Sequence, residues 1–455
     1  MKRPRLRLLA LTATAASLSL LASACGGAGS APGTSSSESG GGGTLRVLLA
    51  NNPQMEPLRE LTEQFTQETG VKVTYTTLPE NDLRDKVNQE YSSQAGQYDL
   101  TSLSAFEVPI FSKNGWMAPL DDYVAKTPDF DQADIFPAFT KGLTGADGKL
   151  YGEPFYGESS FMMYRKDIFK EKGLTMPEHP TWDQVVDLAA KVDKAEPGMA
   201  GICLRGMAGW GQNLAPLNTI INTYGGQWFD MNWNAKLDSP EVKAATQMYV
   251  DLVRNHGEPG AADTGVQECI NIMQQGKAAM YYDATSIAGL FEADDSPIKG
   301  KMGYVAAPVK ETENSGWLWT WAWGVPKSTK NADAAWKFIS WASSKKFEQT
   351  VADKYGWTKS LTGKRNSTYS NAGYTEATAP YYKQEKAALD AADPTNPGVN
   401  PNPYTGVQFV GIAEFPDLGT QVSQQIASAI AGKTSVDEAL ANSQKLAEPV
   451  GKAHR

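Results

Sequence analysis

The segment TLRVLLANNPQMEPLRELTEQFTQETGVKVTY, residues 44–75, changes its apolar period twice. Leu45, Val47 and Leu49 alternate, Leu58, Leu61 and Phe65 recur at helical spacing, and Val71, Val73 and Tyr75 alternate again. Side chains alternate faces along a strand and return to one face every 3.6 residues on a helix. The stretch therefore predicts strand, helix and strand, a βαβ unit whose sheet is covered by helices. Downstream, Leu83, Val87 and Tyr91 predict a second helix, and Tyr98, Asp99 and Leu100 lead into another strand. Thr181 and Gln184 form a capping box ahead of the apolar face Val185, Leu188, Ala189 and Val192. Ser239 and Pro240 open a helix that ends near Gly257. Leu418, Val422, Ile426 and Ile430 make one stripe, and Ser435 to Glu438 is a further cap signal. Residues 394–403, rich in proline and asparagine, read as a loop.

With 455 residues the chain exceeds what one hydrophobic core holds, so two lobes are expected. It is 41% hydrophobic and 20% charged, with no run of about 20 apolar residues beyond the N-terminus to span a bilayer. Upstream of the βαβ unit, Lys2, Arg3, Arg5 and Arg7 precede an apolar run over residues 8–21 and then Ala22, Ser23, Ala24 and Cys25. Residues 1–24 read as a secretory signal, removed on export. Its loss leaves a chain four charges more negative than the −9 of the whole sequence. Such a surface repels nucleic acid and anionic lipid.

The small residues before Cys25 resemble a bacterial lipobox, which implies a diacylglycerol on the Cys25 thiol and a chain held at the outer face of the cell membrane. Ordinary cleavage is the alternative. Residues 26–43 are almost all Gly, Ser, Ala, Pro and Thr, and such a coil has an end-to-end distance of roughly 20 Å, a suitable tether. Cys203 and Cys269 stand in an exported chain where oxidation is permitted, and the sequence leaves open whether they pair or stay as buried thiols.

Motifs for metallohydrolase, serine hydrolase, nucleotide-binding and Cys-x-x-Cys chemistry are absent, and His179, His256 and His454 read as solvated or capping residues. No catalytic residue, metal or cofactor is assigned. Paired carboxylates keep an extracellular glycosidase as the rival reading, and a lipoprotein that senses or scaffolds is a third.

Residues 147–154, DGKLYGEP, followed by 161–167, FMMYRKD, resemble the hinge crossing of extracellular solute-binding proteins of the maltose-binding class. Residues 114–121, 275–280 and 325–332 match the class in the same order. Residues 201–206, 317–322 and 403–411 are similar to its sorbitol- and mannitol-binding branch. The resemblance implies a two-lobed α/β fold of the periplasmic-binding-protein type II, with a ligand cleft between lobes. Lobe 1 is expected over 44–157 and 303–345, lobe 2 over 158–302 and 346–455. It further implies a monomer that carries a neutral sugar or polyol to the transmembrane subunits of an ABC permease, without acting on it chemically.

A polyhydroxyl ligand needs carboxylates and amides for its hydroxyls and flat aromatic faces for its C–H surface. Glu158, just past the hinge motif, resembles a ligand-binding carboxylate of the class; a solvated loop acid or hinge ion pair is the alternative. Trp210 and Asn213, with Gln212, stand by the Gly-rich stretch 206–211 and read as binding residues. Arg205 is either a fork for vicinal hydroxyls or half of an ion pair. Trp317, Trp319, Trp321 and Trp323 alternate, so they share one side of a strand; Trp317 and Trp319 are assigned to the cleft and the other two to the core. Trp357 is a further cleft candidate. Asp283, Ser104 and Glu107 follow strands, where acids and hydroxyls face a crevice, with a helix cap as the alternative for Asp283.

Overall fold

The computed structural model describes residues 43–361 and 363–455. Cys25, the signal segment and the glycine-serine stretch lie outside the described residues. β1 (Thr44–Ala50), β2 (Lys72–Leu78), β3 (Leu100–Ser104), β4 (Gly152–Glu158) and β8 (Trp319–Gly324) form one sheet in the order β2-β1-β3-β8-β4. β5 (Ser160–Arg165), β6 (Met280–Ala284) and β7 (Met302–Val305) form a second, ordered β6-β5-β7.

The expected βαβ unit is present: β1 and β2 run parallel, joined by the helix Met55–Thr69. Leu45, Val47, Leu48 and Leu49 are all buried, because β1 is central in the sheet and covered on both faces. Leu83, Val87 and Tyr91 are the buried positions of the helix Glu80–Ser93. Thr181 makes the reciprocal cap of the helix Trp182–Val192, accepting from Gln184 N at 3.3 Å while its own N–H donates to Gln184 Oε1 at 2.9 Å. Ser239 caps the helix Pro240–His256, and the stripe from Leu418 is the buried face of Phe415–Ile430. No helix among the described residues is long and apolar enough to cross a membrane.

Strand direction decides where a site can form. β1, β2, β3 and β4 point one way and β8 the other, so four strand C-termini and the start of β8 meet along one edge of the first sheet. The second sheet presents the end of β6 and the start of β5, and the bridge Cys203↔Tyr281 runs its segment parallel to β6, which brings Arg205 to the same edge. Ser159 is the sole residue between β4 and β5.

Two expected boundaries move. β7 pairs with β5, so the chain rejoins the first sheet at Trp319 rather than at 303. The helix Lys345–Tyr355 also stays with first-sheet elements. Lys346 pairs with Glu68 at 3.3 Å, and Tyr355 OH donates to Glu60 at 2.5 Å. Segment motifs mark where the chain turns but not which sheet edge captures it.

Cys203 and Cys269 are disulfide-bonded, with Cα atoms 5.7 Å apart. The bond ties the segment before Arg205 to the helix Val266–Gln274.

Candidate functional site: a tryptophan-walled cleft

The facing edges of the two sheets enclose a cavity of about 60 Å³. From the first-sheet side come Asn52 and Gln54 after β1, Glu80 and Arg84 after β2, Tyr156 and Glu158 from β4, and Trp319 and Trp321 on β8, with Trp317 on the segment just ahead of it. From the other side come Arg205, Trp210, Ser286 and Ile270, and Gln408 arrives on the loop before the helix Phe415–Ile430. Antiparallel register sets Trp319 opposite Glu158 and Trp321 opposite Tyr156, so both pairs face the same side of the sheet. Three of the four alternating tryptophans thus line the cavity. Trp321, expected in the core, is one of them; Trp323 is fully buried against Phe155 and Phe338.

Glu158 is 8% exposed, and its Oε2 accepts from Ser286 Oγ at 2.5 Å. Ser286 Oγ in turn accepts from Gln54 Nε2 at 3.2 Å, and Asn52 Nδ2 donates to Tyr156 OH at 3.0 Å. Burial pushes the Glu158 carboxyl up to about 8, with Asp283 and Glu80 adding to the rise and the Ser286 hydrogen bond and Arg205 charge opposing it. At neutral pH it holds its proton and can both donate to and accept from a hydroxyl.

Two guanidinium groups reach the cavity, and each is balanced by carboxylates. Arg84 donates to Glu80 at 2.6 Å and to Glu107 at 2.9 Å, and its Cζ lies 3.9 Å from the centre of the Trp210 ring. Arg205 Nε donates to Asp283 Oδ2 at 2.7 Å, its Nη2 donates to Asp283 Oδ1, and Nη1 donates to the Gly211 carbonyl at 2.7 Å. Burial is the largest single influence on Arg205 and lowers its pKa, but the charge and hydrogen bonds of Asp283, with Tyr281 and Glu80, together raise it above the ordinary value.

Several expected ligand residues do other work. Asp283 is fully buried outside the cavity lining, with both oxygens on Arg205 and Oδ1 also on Ala284 N at 2.7 Å. It holds the Arg205 fork in place. Ser104 and Glu107 likewise lie outside the lining: the Ser104 hydroxyl donates to Glu107, which holds Arg84. Asn213 spends its amide donors on the Gly206 and Ser423 carbonyls, fixing the loop that carries Trp210. Gln212 accepts from Val266 N at 3.2 Å. Trp357 is half-buried against Tyr374, 6.0 Å between ring centres, away from the cavity. Glu158, Arg205, Trp210, Trp317 and Trp319 do line it.

Asn52, Gln54, Glu80, Arg84, Tyr156, Ser286 and Gln408 were missed. Asn52, Gln54, Glu80 and Ser286 lie two to four residues past strand ends, close to the signal that singled out Asp283 and Ser104. Trp317 Nε1, Trp319 Nε1 and Gln408 Oε1, all on residues that line the cavity, are buried without a hydrogen-bond partner among the described residues.

The profile of the bacterial extracellular solute-binding protein family matches residues 50–349. The chain is a bacterial extracellular solute-binding protein. This solute-binding protein is 37% identical over 406 residues to the mannitol-binding protein of Pseudomonas aeruginosa, spanning 88% of this chain and 92% of that one. An ABC transporter solute-binding protein from Agrobacterium vitis S4, solved with bound D-mannitol, superposes with a TM-score of 0.88 at 43% identity, over 90% of this chain and 99% of that one. A ribitol complex from Agrobacterium radiobacter K84 shares the fold at a TM-score of 0.79 and 23% identity, over 90% and 99% of the two chains. The two sheets described above are therefore the cores of a two-lobed solute-binding fold.

Proposed function

We propose that this solute-binding protein captures a linear polyol of the D-mannitol kind between its lobes and hands it to an ABC permease. The carrying observation is the cavity wall: four tryptophans, cations already paired with protein carboxylates, and polar atoms awaiting partners. A ligand entering there meets flat apolar faces and neutral hydrogen-bonding groups, the complement of an uncharged chain of hydroxyls. Balanced charge works against an acidic or basic solute, since either leaves a buried charge without a partner. Similarity to the mannitol-bound structure supports the same reading.

Closure about Ser159 and the segment between β7 and β8 joins the lobes around the ligand, and the closed monomer presents both lobe surfaces to the permease. A lipid on Cys25 holds the protein at the outer face of the cell membrane. Cys25→Ser then shifts it from the membrane fraction to the medium with unchanged affinity.

The test is a melting panel of alditols, monosaccharides and disaccharides on the purified protein. Ligand at 100 times Kd adds about 2.7 kcal/mol of stability, a clear upward shift. D-Mannitol should give it, while a shift from disaccharides alone refutes the polyol reading. Release of a cleaved product from any panel member refutes the binding-only reading.

A further inference from the structure

The first turn of the helix Glu80–Ser93 and the loop of residues 206–211 meet across the rim of the cavity through protein contacts alone. Asn81 Nδ2 donates to the Ala208 carbonyl at 3.2 Å, and one turn on, Arg84 Cζ lies over the Trp210 ring. The glycines make this approach possible. A Cβ on Gly209 would stand 2.6 Å from Asn81 Oδ1, and one on Gly211 would stand 2.2 Å from Glu80 Oε1. Gly209 has φ 145°, a backbone conformation that side-chain-bearing residues rarely adopt.

Each half of this seam is braced by its own lobe. On the first-sheet side Glu80 and Glu107 hold the guanidinium of Arg84, and Ser104 holds Glu107. On the other side Gly209 N donates to Ser423 Oγ at 2.8 Å, and Asn213 bridges Gly206 and Ser423. Two braced surfaces that bond directly to each other stabilise the closed arrangement whether or not a solute lies between them.

We propose that the seam is a built-in latch, with Asn81 and Gly209 as positioning residues that raise the closed fraction of the unliganded protein. Asn81 is outside the cavity lining, so its effect on affinity passes through that population. Apparent Kd equals the intrinsic Kd divided by the competent fraction, so a looser latch weakens binding without changing any ligand contact. The proposal rests on the polyol-binding reading only for its ligand readout.

The experiment pairs small-angle X-ray scattering of the ligand-free protein with calorimetric titration of D-mannitol, on wild type, Asn81→Ala and Gly209→Ala. The expected result is a larger radius of gyration for both ligand-free variants and a Kd weakened about three- to tenfold, the loss of one hydrogen bond's worth of closure. Their mannitol-saturated forms should scatter like wild type. Ligand-free Asn81→Ala that scatters like wild type and binds with its Kd overturns the latch. If D-mannitol binds none of the proteins, the ligand reading falls, and the scattering still decides: a more open Asn81→Ala supports the latch, and identical curves refute it. Should Gly209→Ala not fold, Asn81→Ala carries the same two outcomes.

Discussion

Asp283→Asn separates the two roles an acid at a strand exit can have. In the structure Asp283 is fully buried, and both carboxylate oxygens bind the Arg205 fork, whose third arm is fixed on the Gly211 carbonyl. Asparagine keeps the shape and one acceptor but removes the charge, so Arg205 becomes a buried cation without a counter-ion. Breaking one side of a buried pair costs about 3–5 kcal/mol. Unfolding entropy near 2.1 cal/mol/K per residue over some 400 described residues makes each kcal/mol about 1.2 °C, so the melting point should fall by about 4–6 °C. Differential scanning calorimetry without ligand reads this directly. The double variant Arg205→Met/Asp283→Leu, which removes both charges, should recover most of the loss, and a double-mutant cycle gives the coupling. If Asp283→Asn melts like wild type yet no longer binds D-mannitol, Asp283 is a ligand contact and the assignment made here is wrong.

Three further outcomes are expected. Burial pushes the Glu153 and Glu158 carboxyls up to about 8 from their ordinary 4.5, so between those pH values the native protein holds protons that the unfolded chain has released. Stability therefore falls as pH rises from about 4.5 to 8 and levels off above, and Glu153→Gln should flatten that slope in urea unfolding at several pH values; an unchanged slope refutes it. Trp323→Ala should cost about 3–5 kcal/mol of stability in ligand-free denaturation while Trp319→Ala mainly weakens mannitol binding, and the opposite pattern would reverse their assignments. Removing the disulfide as Cys203→Ser/Cys269→Ser frees a loop of 66 residues and should cost about 4 kcal/mol in chemical denaturation; an unaltered midpoint would show that the bond does not restrain the unfolded chain.

Periodicity made the βαβ start legible, because alternating and helical spacing follow directly from which faces are covered. Caps at Thr181, Ser239 and Ser435 were legible for a similar reason: they satisfy backbone N–H groups a few residues away. Three of the four tryptophans, Trp319, Trp321 and Trp323, do alternate on one strand while Trp317 precedes it, and the cavity reaches one residue pair further along β8 than the loop at Ser315 implied. Strand exits pointed to the cavity edge and also to Ser104, Glu107 and Asp283, which lie outside its lining. Whether an acid such as Asp283 or Glu107 faces solute depends on a cation from elsewhere in the chain, Arg205 or Arg84, and that pairing has no local signature. Arg84 sits beside the apolar stripe Leu83, Val87 and Tyr91, which explains the helix and leaves its polar flank unread. Gln408 lay inside a quoted motif without being singled out, because a single glutamine in a loop carries no periodicity to read.

The indoles around the cavity also make the protein its own optical probe. Four of the twelve tryptophans, Trp210, Trp317, Trp319 and Trp321, stand at the wall, while Trp116, Trp182, Trp228, Trp233, Trp323, Trp336, Trp341 and Trp357 lie elsewhere. A solute settling against the first group changes the polarity around a third of the chain's indoles and leaves the rest as a steady background. Arg84, with its Cζ over the Trp210 ring, adds a nearby charge, and under the proposed closure its distance would change as the lobes part. Near-ultraviolet emission can therefore follow filling and closure in real time with no dye attached, and replacing Trp210 with phenylalanine would divide the signal between the two events.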